Sequence, residues 1–275
     1  MAMAVGSITS QRIGAHVSSN SRGLARIALR LSTGRRINDG GDDAAGLGVA
    51  NNLDAKIRST RAAIRNSENG IAIAEVADTA AGEVTHALQR MRELAVQGSS
   101  TFIRPAERTT LDLEFSGMHS EISRIASEVS FGGLSLADGS ITQLLVQSGI
   151  GSAASSRIAL SLGQLTTTYL GLNVASFDLL SATNARATLD LLDTALGSVN
   201  QTRSRLGATV NRLEASINAT HAYGIALTMA SSRLTDADYA KETSEFTKFQ
   251  ILMVAGGASM VHHKHIEKQA LRLLG

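Results

Sequence analysis

Between Leu192 and Thr220 a ladder of side chains recurs every three or four residues: Leu192, Leu196, Val199, Arg203, Leu206, Val210, Leu213, Ile217 and Thr220. Over four heptads only Arg203 and Thr220 break its apolar run. A second ladder, Leu111, Phe115, Met118, Ile122, Ile125 and Val129, steps without a miss. Near the N-terminus Ile13, Val17, Leu24, Ile27 and Leu31 keep the same step, with Asn20 in the one gap. Leu53, Ile57, Ile64 and Ile71 form a weaker stripe that continues through small residues toward Leu88. A step near 3.5 residues puts each set on one face of a helix and asks for another helix packed lengthwise against it. A coiled coil satisfies that request and so does an ordinary helical bundle. The chain holds one proline, Pro105, so nothing else interrupts such helices from within.

Two glycine-rich breaks punctuate the ladders. The first joins Thr33-Gly34 to Asp39-Gly40-Gly41-Asp42, and Asp42 or Asp43 is placed to cap the helix that follows. Beyond it, the small residues Ala44, Ala45, Gly46, Gly48 and Ala50 suit close helix contact. The second break covers about residues 131–177 and opens with Phe131-Gly132-Gly133-Leu134. Within it, residues 143–147 and 157–162 are strand-like and are separated by a Gly- and Ser-rich stretch. That pattern predicts a β-hairpin with a long loop. The expected fold is therefore mainly α: a long coiled-coil or helical-bundle rod with a small β-hairpin region, in which N- and C-terminal helices pair.

Composition removes whole classes of function. There is no Cys, which excludes a disulfide scaffold, a Cys-based zinc site and a thiol nucleophile. A net charge of +2 with 3% aromatics gives no basic, aromatic-interleaved surface for nucleic acid. No apolar run approaches the ~18–20 residues of a membrane span. Gln11, Arg12, Ser18, Ser19, Asn20, Arg22 and Arg26 interrupt the apolar core that a cleavable signal peptide would need. Asp42-Asp43 suits a helix start better than an acid pair, Ser32, Ser99 and Ser100 lack a recognisably spaced His, and nucleotide-binding glycine motifs are absent. No enzyme activity, no cofactor and no metal site is expected. His262, His263 and His265 are the one metal-like cluster, but 262 and 265 share a helix face that 263 does not.

The run Leu29-Arg30-Leu31-Ser32-Thr33-Gly34-Arg35-Arg36-Ile37-Asn38, followed by Asp42-Asp43-Ala44-Ala45-Gly46-Leu47, resembles the N-terminal signature of bacterial flagellins. Asn69-Gly70-Ile71, residues 89–97 and Phe131-Gly132-Gly133-Leu134 continue the likeness in order. So do Arg212-Leu213-Glu214, Ile217-Asn218, residues 236–242 and Gln250-Ile251-Leu252. It covers nearly the whole chain except about 140–185. Departures are Gly40, where the family commonly has Ala, the His-rich stretch Val261 to Lys268, and the first six residues.

The resemblance implies a self-assembling subunit of the extracellular flagellar filament, in a short form without large outer variable domains. Residues 1–45 and 234–275 would form an inner coiled-coil domain lining a central channel. Residues 46–233 would form the next shell, with the hairpin region at about 131–177. Ile13, Val17, Leu24, Ile27, Leu31, Ile251, Leu271 and Leu274 would be assembly ladders. Isolated helices of this kind are marginal in water, so they would order on docking. Gln89, Arg90, Arg92, Glu93, Leu94 and Glu114 would contact a neighbouring subunit and, as in some members, Toll-like receptor 5. Other implied partners are further copies in a homopolymer or mixed filament, an export chaperone, and the hook-associated and cap proteins. Export would occur unfolded and without a cleaved signal. The His cluster would line the channel or the surface, and the 148–156 loop, with Ser148, Ser152, Ser155 and Ser156, offers glycosylation acceptors. A hook–filament junction protein and a glycan-binding surface adhesin of the same type are the alternatives.

Overall fold

The structure is a computed structural model that describes residues 2–175 and 177–274; for residues 2–7, 270, 271, 273 and 274 it describes the backbone alone. Five helices account for most of it: α1 (Ala2–Thr33), α2 (Gly40–Gly98), α3 (Pro105–Glu128), α4 (Ala182–Thr235) and α5 (Tyr239–Leu274). Between α3 and α4 lie β1 (Ser130–Phe131), β2 (Leu134–Ser135), β3 (Gln143–Gln147) and β4 (Arg157–Ser161). The chain is mainly α with a small hairpin region, as its ladders and breaks predict. Pro105 opens α3, where a missing N–H costs nothing, and Glu107 Oε2 accepts the Arg104 N–H at 3.1 Å.

The chain divides into two compact units, residues 1–55 with 226–275, and residues 56–225. In the second unit the ladders of α3 and α4 close on α2. Phe115, Ile122, Leu192 and Val199 join Leu88, Met91 and Leu94 in one buried cluster. Beside those three, the α2 share of this core is Ala80, Ala81, Ala87 and Ala95 with Val84, which lets the helices approach closely. Both gaps in the longest ladder are cross-links. Arg203 donates to both carboxylate oxygens of Asp78 on α2, at 2.9 and 3.2 Å. Thr220 Oγ1 donates to the Ser148 carbonyl at 3.3 Å.

The hairpin falls where its strands were expected. Strands β3 and β4 pair antiparallel from Gln143↔Ser161 to Gln147↔Arg157. Val146, Ile158 and Leu160 face a second cluster with Leu206 and Leu213 of α4. Gly70 makes room for it: a Cβ there would lie 2.9 Å from Val146 Cγ2. A two-residue turn, Gly132-Gly133, both with positive φ (58° and 84°), joins β1 to β2. Arg108 is buried and donates to the carbonyls of Gly98 and of Ser100, closing the α2–α3 turn. The irregular stretch after β4 is tied to α3 through Leu179 N–H to Asp112 Oδ1 at 2.9 Å and through the Phe115–Phe177 ring pair.

The first unit is simpler. Helices α1 and α5 pair antiparallel, beside the start of α2 and the end of α4. Of the small residues at the start of α2, Gly46 and Ala50 are buried, whereas Ala44, Ala45 and Gly48 are exposed.

Candidate assembly surfaces

The α1–α5 seam is built by glycines receiving large side chains. A Cβ at Gly23 would lie 2.7 Å from Phe249 Cε1, and one at Gly256 would lie 2.8 Å from Val17 Cγ2. Gly14 stands under the Met260 methyl, 3.8 Å from Cε. At Gly23 and Gly256 only a residue without a side chain allows this fit, whereas a Cβ at Gly14 would make ordinary contact. The predicted α1 ladder is the less exposed face of that helix: Ile27 is buried, and Ile13, Val17, Leu24 and Leu31 are half-buried.

Helix α5 carries two seams. Phe249, Met253, Gly256, Met260 and His263 turn toward α1. Ile251, Val254, Ala258 and Val261 repeat the same step on another face and stay exposed, Ile251 at 63%, Val254 at 75% and Val261 at 67%. Leu252 and Ile266 are exposed beside them. Ile251, expected in a ladder, thus lies on the uncovered seam. Leu271 and Leu274 fall in α5, and their side chains lie outside the described residues. His263 is half-buried with Nε2 3.5 Å from Glu267 Oε1, while His262 and His265 are exposed. Among the described residues no group of three or more His, Asp or Glu side chains is arranged to hold a metal ion.

The two signature runs meet around Arg30. Its guanidinium lies 3.6 Å from Asp42 Oδ1 and 3.5 Å from Glu242 Oε1. The Asn38 N–H, donated to Asp42, and then Arg30 hold that carboxyl below its usual range against the cost of desolvation. Asp43 has extended backbone (φ −164°, ψ 94°) and accepts the Gly46 N–H at 2.8 Å, so Asp43 is the true cap of α2. Gly34 has φ +68°, and its carbonyl accepts the Ala237 N–H at 2.9 Å. Arg36 donates its N–H to Thr235 O and its Nη2 to Leu234 O, both at 2.7 Å. Tyr239 Oη donates to Leu31 O at 3.1 Å, and Asp238 caps α5 at the Ala240 and Lys241 amides. Buried Ile37 anchors the loop between α1 and α2. These contacts explain why the signature needs Arg, Gly and Asp at those spacings.

A third surface lies on the second unit. Arg90 donates to Glu114 at 2.8 Å and to Glu93 at 2.9 Å, and Arg92 grips both oxygens of Asp193 on α4 at 2.6 and 3.2 Å. The Arg92 hydrogen bonds hold Asp193 below its ordinary value, and the hydrogen bonds that Arg90 donates to Glu114 and Glu93 raise Arg90. Gln89, Arg90, Arg92, Glu93 and Glu114 are exposed. Leu94, grouped with them from sequence, is 1% exposed and belongs to the core. The two-seamed α5, the glycine sockets and the Arg30 pairs are absent from the sequence reading. A glycine recurring inside a ladder, as at Gly14, Gly23 and Gly256, is the signal that finds the sockets.

Comparison with known proteins converges on one group. Residues 7–142 match the bacterial flagellin N-terminal helical region, and residues 189–274 match the bacterial flagellin C-terminal helical region. A flagellin of Halalkalibacterium halodurans is 37% identical over 245 residues, covering 89% of each chain. A flagellin of Bacillus subtilis is 33% identical over 290 residues, covering 94% of this chain and 95% of its own. The crystal structure of Bacillus cereus flagellin superposes with a TM-score of 0.50 at 28% identity, over 57% of this chain and 88% of that one.

Proposed function

Because the chain belongs to the bacterial flagellin family, and is therefore a structural subunit of the flagellar filament and not an enzyme, we propose that α1 and α5 are its assembly element. The observation that carries this reading is the second seam of α5. Four positions at heptad spacing, three of them well exposed Ile or Val, stay largely uncovered among the described residues. Each such side chain gains roughly 1.5–3 kcal/mol on full burial. Neighbouring copies supply that burial in a polymer, and α1 and α5 complete their ordering there. Residues 1–45 and 234–275, with Ile13, Val17, Leu24, Ile27, Leu31, Ile251, Leu271 and Leu274, form the inner layer in this reading. Residues 46–233 form the next shell. Relatives matched along about nine-tenths of both chains favour this over a junction protein or an adhesin.

Seeded polymerisation of the purified chain tests it, with light scattering and negative-stain microscopy as readouts. Full-length protein should give long filaments. A deletion of residues 1–30 and 245–275, and the variants Val254→Asp and Val261→Asp, should stay soluble. Filaments from the aspartate variants would overturn the role given to the second seam.

The exposed group Gln89, Arg90, Arg92, Glu93 and Glu114 supports a second, finer reading. It contacts the adjacent copy in the filament and, in the free subunit, Toll-like receptor 5. No response of receptor reporter cells to a high dose of pure subunit would end that reading. An export chaperone, hook-associated proteins and a cap protein are the remaining partners in this proposal. Their docking to the terminal helices is testable by co-purification against the same terminal deletion.

A further inference from the structure

The chain has no Cys and seven Met, so thioether sulfur is its most readily oxidised group. The methionines differ in surroundings. Met91 is fully buried, Met118 packs against the core of the second unit, and Met229 is 56% exposed. Met253 and Met260 stand one heptad apart on the α5 face turned to α1, and both are half-buried. The Met260 methyl rests over Gly14, 3.8 Å from where a Cβ would be. Met253 lines a groove with Leu24, Ile251, Val254 and Ala258, in which Gln250 is the one polar residue. Half burial leaves a small oxidant a path to each sulfur. Aliphatic walls leave almost nothing to hydrogen-bond an oxygen once it is attached.

We propose that Met253 and Met260 are oxidation sites through which peroxide controls whether a free subunit can assemble; this rests on the reading of α1 and α5 as the assembly element. The sulfur lone pair attacks one oxygen of hydrogen peroxide, an S–O bond forms and the O–O bond breaks. The departing oxygen leaves as water with both protons. Sulfur loses two electrons and the peroxide gains them. The product sulfoxide is polar and chiral, so packing it against Gly14 or into the apolar Leu24 groove costs desolvation that the thioether does not. A closed seam in the polymer shields both sulfurs, so the free subunit reacts and the assembled one is spared.

The test treats purified subunit with hydrogen peroxide, maps oxygen gain by peptide mass spectrometry, and follows seeded polymerisation by sedimentation. Wild type is compared with a Met253→Leu/Met260→Leu double variant and with Met229→Leu. Untreated, wild type and Met229→Leu should polymerise, and the double variant is scored against its own untreated sample. After peroxide, wild type and Met229→Leu should lose polymer, and the double variant should keep it. Oxygen should appear at 253 and 260 in the free subunit and not in preformed polymer. Reduction of oxidised wild type by the two methionine sulfoxide reductases should restore assembly, a readout that does not depend on the leucine variants folding. Normal polymerisation of wild type oxidised at both sites overturns the proposal. So does a block that persists after both sulfoxides are reduced. If untreated wild type never polymerises, the assembly reading itself falls, and this proposal falls with it.

Discussion

The second unit answers its own ladders, and the first leaves part of them open. Phe115, Ile122, Leu192, Leu206 and Leu213, all ladder residues of the second unit, are at most 1% exposed. In the first unit Ile27 alone among the five predicted α1 ladder residues is buried, and α5 holds a complete seam in solvent. The step along the chain is the same in both. What differs is how many helices the chain itself supplies to each face. A heptad pattern therefore specifies a stripe and says nothing of whether its partner is in the same molecule. On the proposed reading, stability of the free subunit rests on the second unit and assembly on the first.

Truncation inside each unit should break this comparison most sharply. Phe115→Ala should cost about 3–5 kcal/mol of monomer stability in urea titration, as large core deletions do. Val254→Ala should change that stability by less than about 0.5 kcal/mol, as surface changes do. It should nevertheless slow seeded polymerisation. Equal urea shifts for the two would erase the distinction between the units.

A smaller effect separates socket glycines from free ones. Gly23→Ala improves helix propensity by about 1 kcal/mol but drives a methyl into the Phe249 ring, and such overpacking costs about 1–3 kcal/mol. Faster hydrogen exchange in α5 is the expected result. Gly48→Ala has nothing within 4 Å and should stabilise by about 1 kcal/mol. In the second unit, Thr188 Oγ1 is buried with no hydrogen-bond partner among the described residues. Thr188→Val removes that cost and should raise stability by about 1 kcal/mol, read as a higher Tm.

The smallest expected effect is one of pH. Burial holds the His119 imidazole below its ordinary 6.5, against a weaker opposing hydrogen bond to Leu172. Below pH 6.5 the unfolded chain takes up a proton that the folded chain refuses, so the second unit loses stability as pH falls from there toward the depressed value. His119→Phe should flatten that slope in urea titrations across the window. An unchanged slope would assign the acid sensitivity to other groups.

Much of the second unit was legible because large apolar residues do the packing there. The ladders of α3 and α4 could be counted, and the strands at 143–147 and 157–161 were bounded by glycine and serine. The α2 side of the core was harder, since its buried surface is mostly alanine, which no count of Leu, Ile and Val detects. Leu94 joins its charged neighbours only through the family resemblance, which carries a motif position without its burial. In α5 two seams share one helix, so their apolar residues spread around it and neither stands out as a stripe. The Arg30 pairs with Asp42 and Glu242 were beyond reach for another reason. One partner lies 212 residues away, and periodicity carries no information over that distance.

That separation sets a clock. Tyr239 closes onto Leu31 across 208 residues, and no part of α5 exists until synthesis reaches Tyr239. At about 5–20 residues per second of synthesis, α1 waits on the order of ten to forty seconds for the helix that completes it. Contacts within residues 56–225 join segments made closer in time, 125 residues apart for Asp78 and Arg203. The α1–α5 pairing is thus later than every contact within residues 56–225, and α1 keeps its seam unanswered while residues 34–238 are made.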